Sequence, residues 1–213
     1  MAGFFLRARI LNGVLFRGLS KKAINLERPP HDYPIVTGSE HWRRKLRTLF
    51  KARDTDGDGY ISRQDYVLCA DRVASYMNLN ETRAIELMNK QLLMWELVSG
   101  TTDASGDIKI SEDEYMSNIL NGNHKSMGMG LDIVCCDFDS VDVNSDGFIS
   151  QQEHKAFFYG RGIPVKHSTD VFKVLDTDGD GKLSKEEFVQ GYVDFIYSED
   201  ESSPHVSFMG PLV

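Results

Sequence analysis

Three stretches of this chain repeat one twelve-residue pattern: Asp54 to Asp65, Asp142 to Glu153 and Asp176 to Glu187. In each, oxygen-bearing side chains stand at positions 1, 3, 5, 9 and 12, glycine at 6 and an apolar residue at 8. The first runs Asp54, Asp56, Asp58, Gly59, Tyr60, Ser62, Asp65. The second runs Asp142, Asn144, Asp146, Gly147, Phe148, Ser150, Glu153, and the third Asp176, Asp178, Asp180, Gly181, Lys182, Ser184, Glu187. Alternating donors let a short segment curl round one hard cation, which takes about six to eight oxygens at roughly 2.3–2.6 Å. Position 7 (Tyr60, Phe148, Lys182) is expected to give its backbone carbonyl. Glycine at position 6 supplies a sharp turn that a Cβ would strain. So many mutually repelling oxygens in so small a space call for a cation, and an acidic turn without metal gives no reason for three copies.

The spacing is that of the EF-hand calcium loop, so three Ca²⁺ sites are expected. Position 8 (Ile61, Ile149, Leu183) is expected to join each loop to a neighbour through a short strand contact. The sites are not equivalent. Glu153 and Glu187 can reach an ion with both oxygens, whereas Asp65 is one methylene shorter. Fewer protein oxygens and a tighter cavity favour Mg²⁺ relative to Ca²⁺, so the first site is expected to be weaker or less selective. A fourth loop should lie between the first two, and Asp103 to Glu114 is the candidate, with Asp103, Ser105, Asp107, Ser111, Glu114 and Ile110 at position 8. Its position 6 is Ile108, and Gly106 comes two places early. A β-branched residue fits that turn poorly. The expectation is a degenerate hand that pairs but holds no ion.

Between the loops, apolar residues recur at helical spacing. Trp42, Leu46, Leu49 and Phe50 mark the helix entering the first loop, with Ser39 as its cap. Tyr66, Val67, Ala70 and Val73 mark the helix leaving it, and a long helix is expected from about Asn80 to Val98. Phe157 and Phe158, then Val171 and Phe172, then Phe188, Tyr192 and Phe195 continue the pattern. The fold class predicted is all-α, a compact four-EF-hand protein of two paired lobes with the second hand degenerate. The expected segments are a basic extension over 1–36, hands I and II over 37–122, hands III and IV over 123–197, and a tail over 198–213. The tail carries Phe208, Met209, Leu212 and Val213, apolar enough to fold back on the core.

A net charge of −8 argues against nucleic acid, which requires a basic face. No apolar run is long enough for a transmembrane helix. Cys69, Cys135 and Cys136 have no disulfide-framework spacing and fit buried thiols in a reducing, intracellular setting. The first thirty residues carry Arg7, Arg9, Arg17, Lys21, Lys22 and Arg28 against the single acid Glu27. Three readings of this segment stand: a mitochondrial presequence, an arm lying on the protein or a membrane surface, and a secretory signal. The first two lead, which points to cytoplasm or mitochondrial matrix. Pro29, Pro30 and Pro34 read as a linker.

The chain also resembles the sarcoplasmic calcium-binding protein and calexcitin group, and is at least as similar to the luciferin-binding proteins of bioluminescent cnidarians. The resemblance rests on the run from Arg53 to Tyr66, on Gly162-Ile163-Pro164, on Val193-Asp194-Phe195, and on the end from Phe208 to Val213. It spans about residues 40–213. It implies a four-hand fold with an inactive second hand, and either buffering of Ca²⁺ and Mg²⁺ or Ca²⁺-triggered release of a small apolar ligand such as coelenterazine. Calcium-regulated photoproteins share the fold but carry a His in the last helix and a C-terminal Pro; here the stretch is Val189-Gln190-Gly191-Tyr192 and the end is Leu212-Val213. No phosphate loop or nucleophile–base pair suggests an enzyme, and the six His residues form no spaced cluster. A monomeric calcium buffer is the leading expectation. A ligand carrier, and a sensor that docks a partner helix in an apolar groove, are the alternatives.

Overall fold

Helix starts follow from the sequence with few exceptions. Ser39 Oγ accepts the backbone N–H of Trp42 and opens α1 (Glu40–Arg53), and Asn80 caps α3 (Glu81–Ser99) in the same way. Ser62, Ser150 and Ser184 each form a reciprocal capping box with the residue three places on, Asp65, Glu153 and Glu187. These boxes open α2 (Arg63–Tyr76), α6 (Gln151–Gly160) and α8 (Lys185–Tyr197). Positions 9 and 12 of each loop are therefore also the N-cap and N3 residues of the following helix. α4 (Glu112–Gly122), α5 (Met127–Val141) and α7 (Ser168–Leu175) complete the α-helices among the described residues. The computed structural model describes residues 24–102, 105, 107–122 and 127–213.

The loops pair as expected. β1 (Tyr60–Ser62) runs antiparallel to β2 (Lys109–Ser111), with Ile61 opposite Ile110. β3 (Phe148–Ser150) runs antiparallel to β4 (Lys182–Ser184), with Ile149 opposite Leu183. Apolar position 8 thus forms the centre of each two-stranded sheet and is buried in all four hands. The second hand keeps this pairing role without the turn. Gly59, Gly147 and Gly181 lie at φ of 87°, 89° and 83°, while Ile108 is not among the described non-glycine residues with positive φ.

The two pairs share one core. Trp42, Leu46 and Leu49 of α1 pack in the same cluster as Phe138 of α5, Phe157 and Phe158 of α6, and Phe188, Tyr192 and Phe195 of α8. Burying each such side chain contributes about 1.5–3 kcal/mol. The tail folds into this cluster as its composition predicts: Phe208 and Met209 are buried, and the Phe208 ring lies 5.2 Å from Phe188 and 5.0 Å from Tyr192. Gly191 permits that approach, since a Cβ there would stand 2.3 Å from Leu175 Cδ2 and 3.2 Å from Phe208 Cδ2.

The end of α8 is pinned to the start of α1. Trp42 Nε1 donates to the Ile196 carbonyl at 2.8 Å, and the buried Lys45 ammonium donates to the Ser198 carbonyl. Glu199 accepts the backbone N–H groups of Thr37, Gly38 and Ser39. The segment read as a linker is packed rather than free: Tyr33 and Val36 are buried, Tyr33 bonds to Asp194, and Arg28 stacks 3.9 Å over the Tyr33 ring. Two isolated apolar residues have no periodicity, so the sequence gives no sign of this contact. Most of the N-terminal extension, residues 1–23, lies outside the described residues, as do Asp103 and Gly106 of the second loop and Asn123 at the expected lobe boundary.

Candidate functional site

Each loop is drawn into a ring by its own side chains. Asp54 takes the N–H of Gly57 on one oxygen and that of Gly59 on the other, both at 3.0 Å. Asp56 accepts from Asp58 N–H and Asp58 from Tyr60 N–H. The other loops repeat this. Asp142 accepts from Asp146 and Gly147, Asn144 from Asp146, and Asp146 from Phe148. Asp176 accepts from Gly181, Asp178 from Asp180, and Asp180 from Lys182. These bonds leave lone pairs on the accepting oxygens, and whole oxygens elsewhere, for an ion.

The carboxylates converge to different degrees. Oxygens of Asp54, Asp56 and Asp58 lie within 4.8 Å of one another, and so do those of Asp176, Asp178 and Glu187. In the Asp142–Glu153 loop the carboxylates form no such group; Asn144 donates from Nδ2 to Asp146 at 3.0 Å instead. Asp65 and Asp180 stand outside the two groups. The backbone oxygens expected from Tyr60, Phe148 and Lys182 sit at the starts of β1, β3 and β4.

The position-12 carboxylates are tied to the backbone on both oxygens. Asp65 takes Thr55 N–H at 2.7 Å and Asp56 N–H at 3.1 Å on one oxygen, and Ser62 N–H and Oγ on the other. Glu153 makes the same set to Val143, Asn144 and Ser150 with longer first bonds, 3.2 and 3.4 Å. Glu187 repeats it through Thr177, Asp178 and Ser184. Asp65 is thus held more tightly, and it is buried. Its shorter side chain gives the first loop the stiffer closure.

The donor chemistry fits a hard divalent cation. Every expected ligand offers oxygen, and Asp176 Oδ1 is buried without any hydrogen-bond partner. An orphaned buried carboxylate oxygen is costly unless a cation meets it. Burial raises the pKa of Asp54, and the charges of Asp65 and Asp58 raise it further against the bonds from Gly59 and Gly57. For Glu187 burial acts upward, but bonds from Ser184 and Thr177 outweigh it and hold the group below its usual value. The side-chain bond from Lys109 lowers the pKa of Asp58.

Three features escaped the sequence reading. Position 4 takes a left-handed conformation in every complete loop: Gly57 at φ 77°, Gly179 at 74°, and Ser145 at 60°. Lys109 of the second hand reaches Asp58 of the first. A buried charged cluster lies at the centre: Asp137 pairs with Arg161 and stands 3.7 Å from Arg53, whose guanidinium also donates to Tyr66 and Tyr192 hydroxyls. Nε of both arginines and Oδ2 of Asp137 have no hydrogen-bond partner. Of the histidines, His154 is buried, bonded to Ser168 and held neutral by burial that lowers its pKa to about 3. Cys69 and Cys136 are buried free thiols, and Cys135 is half-buried and free.

Two regions match the EF-hand domain pair, residues 132–193 in one model and 44–72 in another. The luciferin-binding protein of Renilla reniformis is 30% identical over 190 residues, covering 84% of this chain and all of that protein. The sarcoplasmic calcium-binding protein of Perinereis vancaurica tetradentata is 32% identical over 180 residues, covering 82% of this chain and all of that one. Among solved structures, the coelenterazine-binding protein of Renilla muelleri in its calcium-loaded apo form superposes with a TM-score of 0.72 at 27% identity, over 82% of this chain and 99% of that one.

Proposed function

Since the chain belongs to the EF-hand family of luciferin-binding and sarcoplasmic calcium-binding proteins and is a calcium-binding protein, we propose that it is a closed calcium buffer with three ion sites. Asp54, Asp56, Asp58, Ser62 and Asp65 serve the first, with the Tyr60 carbonyl. Asp142, Asn144, Asp146, Ser150 and Glu153 serve the second, with the carbonyl of Phe148. Asp176, Asp178, Asp180, Ser184 and Glu187 serve the third, with the carbonyl of Lys182. Each position-12 carboxylate exchanges its backbone N–H groups for the ion. The first site, with its shorter and more tightly held Asp65, takes Mg²⁺ more readily relative to Ca²⁺.

The observation that carries a buffer over a sensor is the tail. Phe208, only 1% exposed, fills the core between helices of the C-terminal hands, the place where a sensor would expose a groove for a partner helix. Calorimetric titration with Ca²⁺, alone and against a background of Mg²⁺, tests this. Three bound ions with no rise in apolar-dye fluorescence are expected. A large Ca²⁺-dependent rise would instead make the protein a sensor.

A second reading, a calcium-responsive carrier of a small apolar ligand such as coelenterazine, draws on the full-length likeness to the Renilla proteins. It also draws on the unpartnered polar atoms of Arg53, Asp137 and Arg161 in an otherwise apolar interior. Both tryptophans, Trp42 and Trp95, are buried and would report an occupant. Quenching by coelenterazine without Ca²⁺, reversed by Ca²⁺, would establish the carrier. An unchanged spectrum in both states leaves the buffer. No described helix is long and apolar enough to cross a membrane. We place the protein inside the cell, in cytoplasm or mitochondrial matrix, on the basis of its free thiols and basic N-terminal segment.

A further inference from the structure

The second hand binds no ion in the reading above, yet it contributes a cation. Lys109 occupies position 7 of that hand and lies in β2 opposite Ser62, which is position 9 of the first loop. From there its ammonium reaches Asp58 Oδ2 at 2.5 Å and sits 5.2 Å from the centre of the Tyr60 ring. Asp58 is position 5 of the first loop, and its carboxylate belongs to the group in which oxygens of Asp54, Asp56 and Asp58 lie within 4.8 Å of one another.

The other pair provides an internal control. Lys182 holds the equivalent place, position 7 of the fourth hand opposite Ser150, with its ammonium 5.0 Å from the Phe148 ring. Among the described residues Lys182 forms no salt bridge, and Asp146, the counterpart of Asp58, is bonded by Asn144. The aromatic shelf is common to both pairs. The ion pair belongs to the first alone.

We propose that Lys109 is a tethered cation of the first loop, which shares the Asp58 carboxylate with an incoming divalent ion and weakens that loop relative to the other two. This rests on the assignment of the first loop as an ion site. The pair is exposed at the surface, with Lys109 at 49% and Asp58 at 36% of full side-chain exposure, so it contributes little to the fold itself. Its effect on an ion is larger because the ion carries two charges. A single positive charge about 6 Å from a divalent ion in water lowers affinity roughly three- to tenfold, the smaller figure at physiological salt. A lysine set against Asp58 and a short Asp65 act in the same direction. Both make the first loop the one that empties first as calcium falls.

The test is a chelator-competition calcium titration of the full chain at low and high salt, with Lys109→Gln, Lys109→Arg and Asp54→Ala variants. Terbium luminescence excited through Tyr60, the only tyrosine at position 7 of the three loops, assigns the affected site. Asp54→Ala should lose one ion, which checks the first loop as a site independently of Lys109. Lys109→Gln should keep the wild-type stoichiometry and tighten the terbium-reporting site three- to tenfold at low salt, with the gain shrinking at high salt. Lys109→Arg should behave as wild type. If Asp54→Ala loses an ion but Lys109→Gln leaves affinity unchanged, or Lys109→Arg tightens it equally, the tethered cation is wrong and the site stands. If Asp54→Ala loses no ion, the site assignment falls and the proposal with it.

Discussion

Removing the Phe208 ring tests whether the tail is part of the core or a removable cover. Phe208 is 1% exposed and packs against three aromatic rings along α8, Phe188 at 5.2 Å, Tyr192 at 5.0 Å and Phe195 at 6.1 Å between ring centres. Truncating a buried Phe to Ala costs about 3–5 kcal/mol through lost transfer energy and the cavity left behind. The crowding at Gly191 gives little room for collapse into that space, because Leu175 already closes its other side. At least the middle of the range, about 4 kcal/mol, is therefore expected for Phe208→Ala. With an expected total stability of about 5–15 kcal/mol, that is a large share. It corresponds to a fall in melting temperature of about 8–16 °C for a domain of this size. The assay is thermal and urea unfolding in chelator, with Val213→Ala as the exposed control. The variant should also bind an apolar dye without calcium, which the wild type should not. A loss below about 1 kcal/mol would mean that the tail lies on the core without belonging to it, and the case against a partner groove would lose its support.

Two further outcomes follow from local geometry. Glu199 accepts N–H bonds from Thr37, Gly38 and Ser39 at 3.2, 2.9 and 2.9 Å; burial alone would raise its pKa, but the bonds from Ser39 and Thr37 bring it down to about 2. A folded-state pKa below the ordinary 4.5 means this clasp stabilises the fold above that pH and is lost as pH falls toward about 2. Discounted for its partly solvated position, the contribution is about 1–2 kcal/mol at neutral pH. Glu199→Gln should lose that amount at pH 7 and match wild type near pH 2 in urea unfolding; a gap that stays constant across the range would disprove the clasp. Ser145 sits at φ 60°, where the equivalent residues are Gly57 and Gly179. Ser145→Gly should relieve about 1–2 kcal/mol of left-handed strain against glycine's greater unfolded freedom, a net gain of about 0.5 kcal/mol in chelator melts. A destabilised variant would show the serine to be unstrained.

What could be read from the sequence divides along physical lines. Each loop, the apolar position 8 through which it pairs, and the serine that starts its exiting helix are written within a dozen residues, even though the residues that meet, Ile61–Ile110 and Ile149–Leu183, stand far apart in the chain. Local spacing encodes these, and one residue often serves two ends, as Ser62 does in closing a loop and capping α2. The tail could be read from composition alone, since Phe208 and Met209 had to be buried somewhere. Missed were contacts made by residues with no local partner. Tyr33 packs across the chain onto Asp194, and Lys109 meets Asp58 only because the strands pair in one register. The left-handed Ser145 was missed for a different reason: the pattern tolerates serine at position 4, and only the backbone reveals its cost.

The central charged cluster bears on how the first loop can respond to an ion. Arg53 immediately precedes position 1 and Tyr66 immediately follows position 12, so the two ends of that loop meet through the Arg53–Tyr66 bond of 3.0 Å. The same guanidinium reaches Tyr192 of α8 at 2.7 Å and faces Asp137 of α5, which also holds Arg161 at the end of α6. All three charged groups are almost wholly buried. Separating one from its partners strands a charge in the core at a cost of about 3–5 kcal/mol. Electrostatic gain from an ion at Asp54, Asp56 and Asp58 would have to exceed that before the loop ends could part. Rotation of Asp65 within the loop would instead exchange its charge-assisted bonds from Thr55, Asp56 and Ser62, about 1.5–3 kcal/mol each, for bonds to the ion, so they are replaced rather than lost. The cheaper path is therefore for the ion to be taken up inside a fold that stays shut, with the loop ends fixed and the carboxylates turning. That behaviour suits a buffer, and it leaves any larger rearrangement to the third and fourth hands, whose loop ends carry no such buried arginine–tyrosine tie among the described residues.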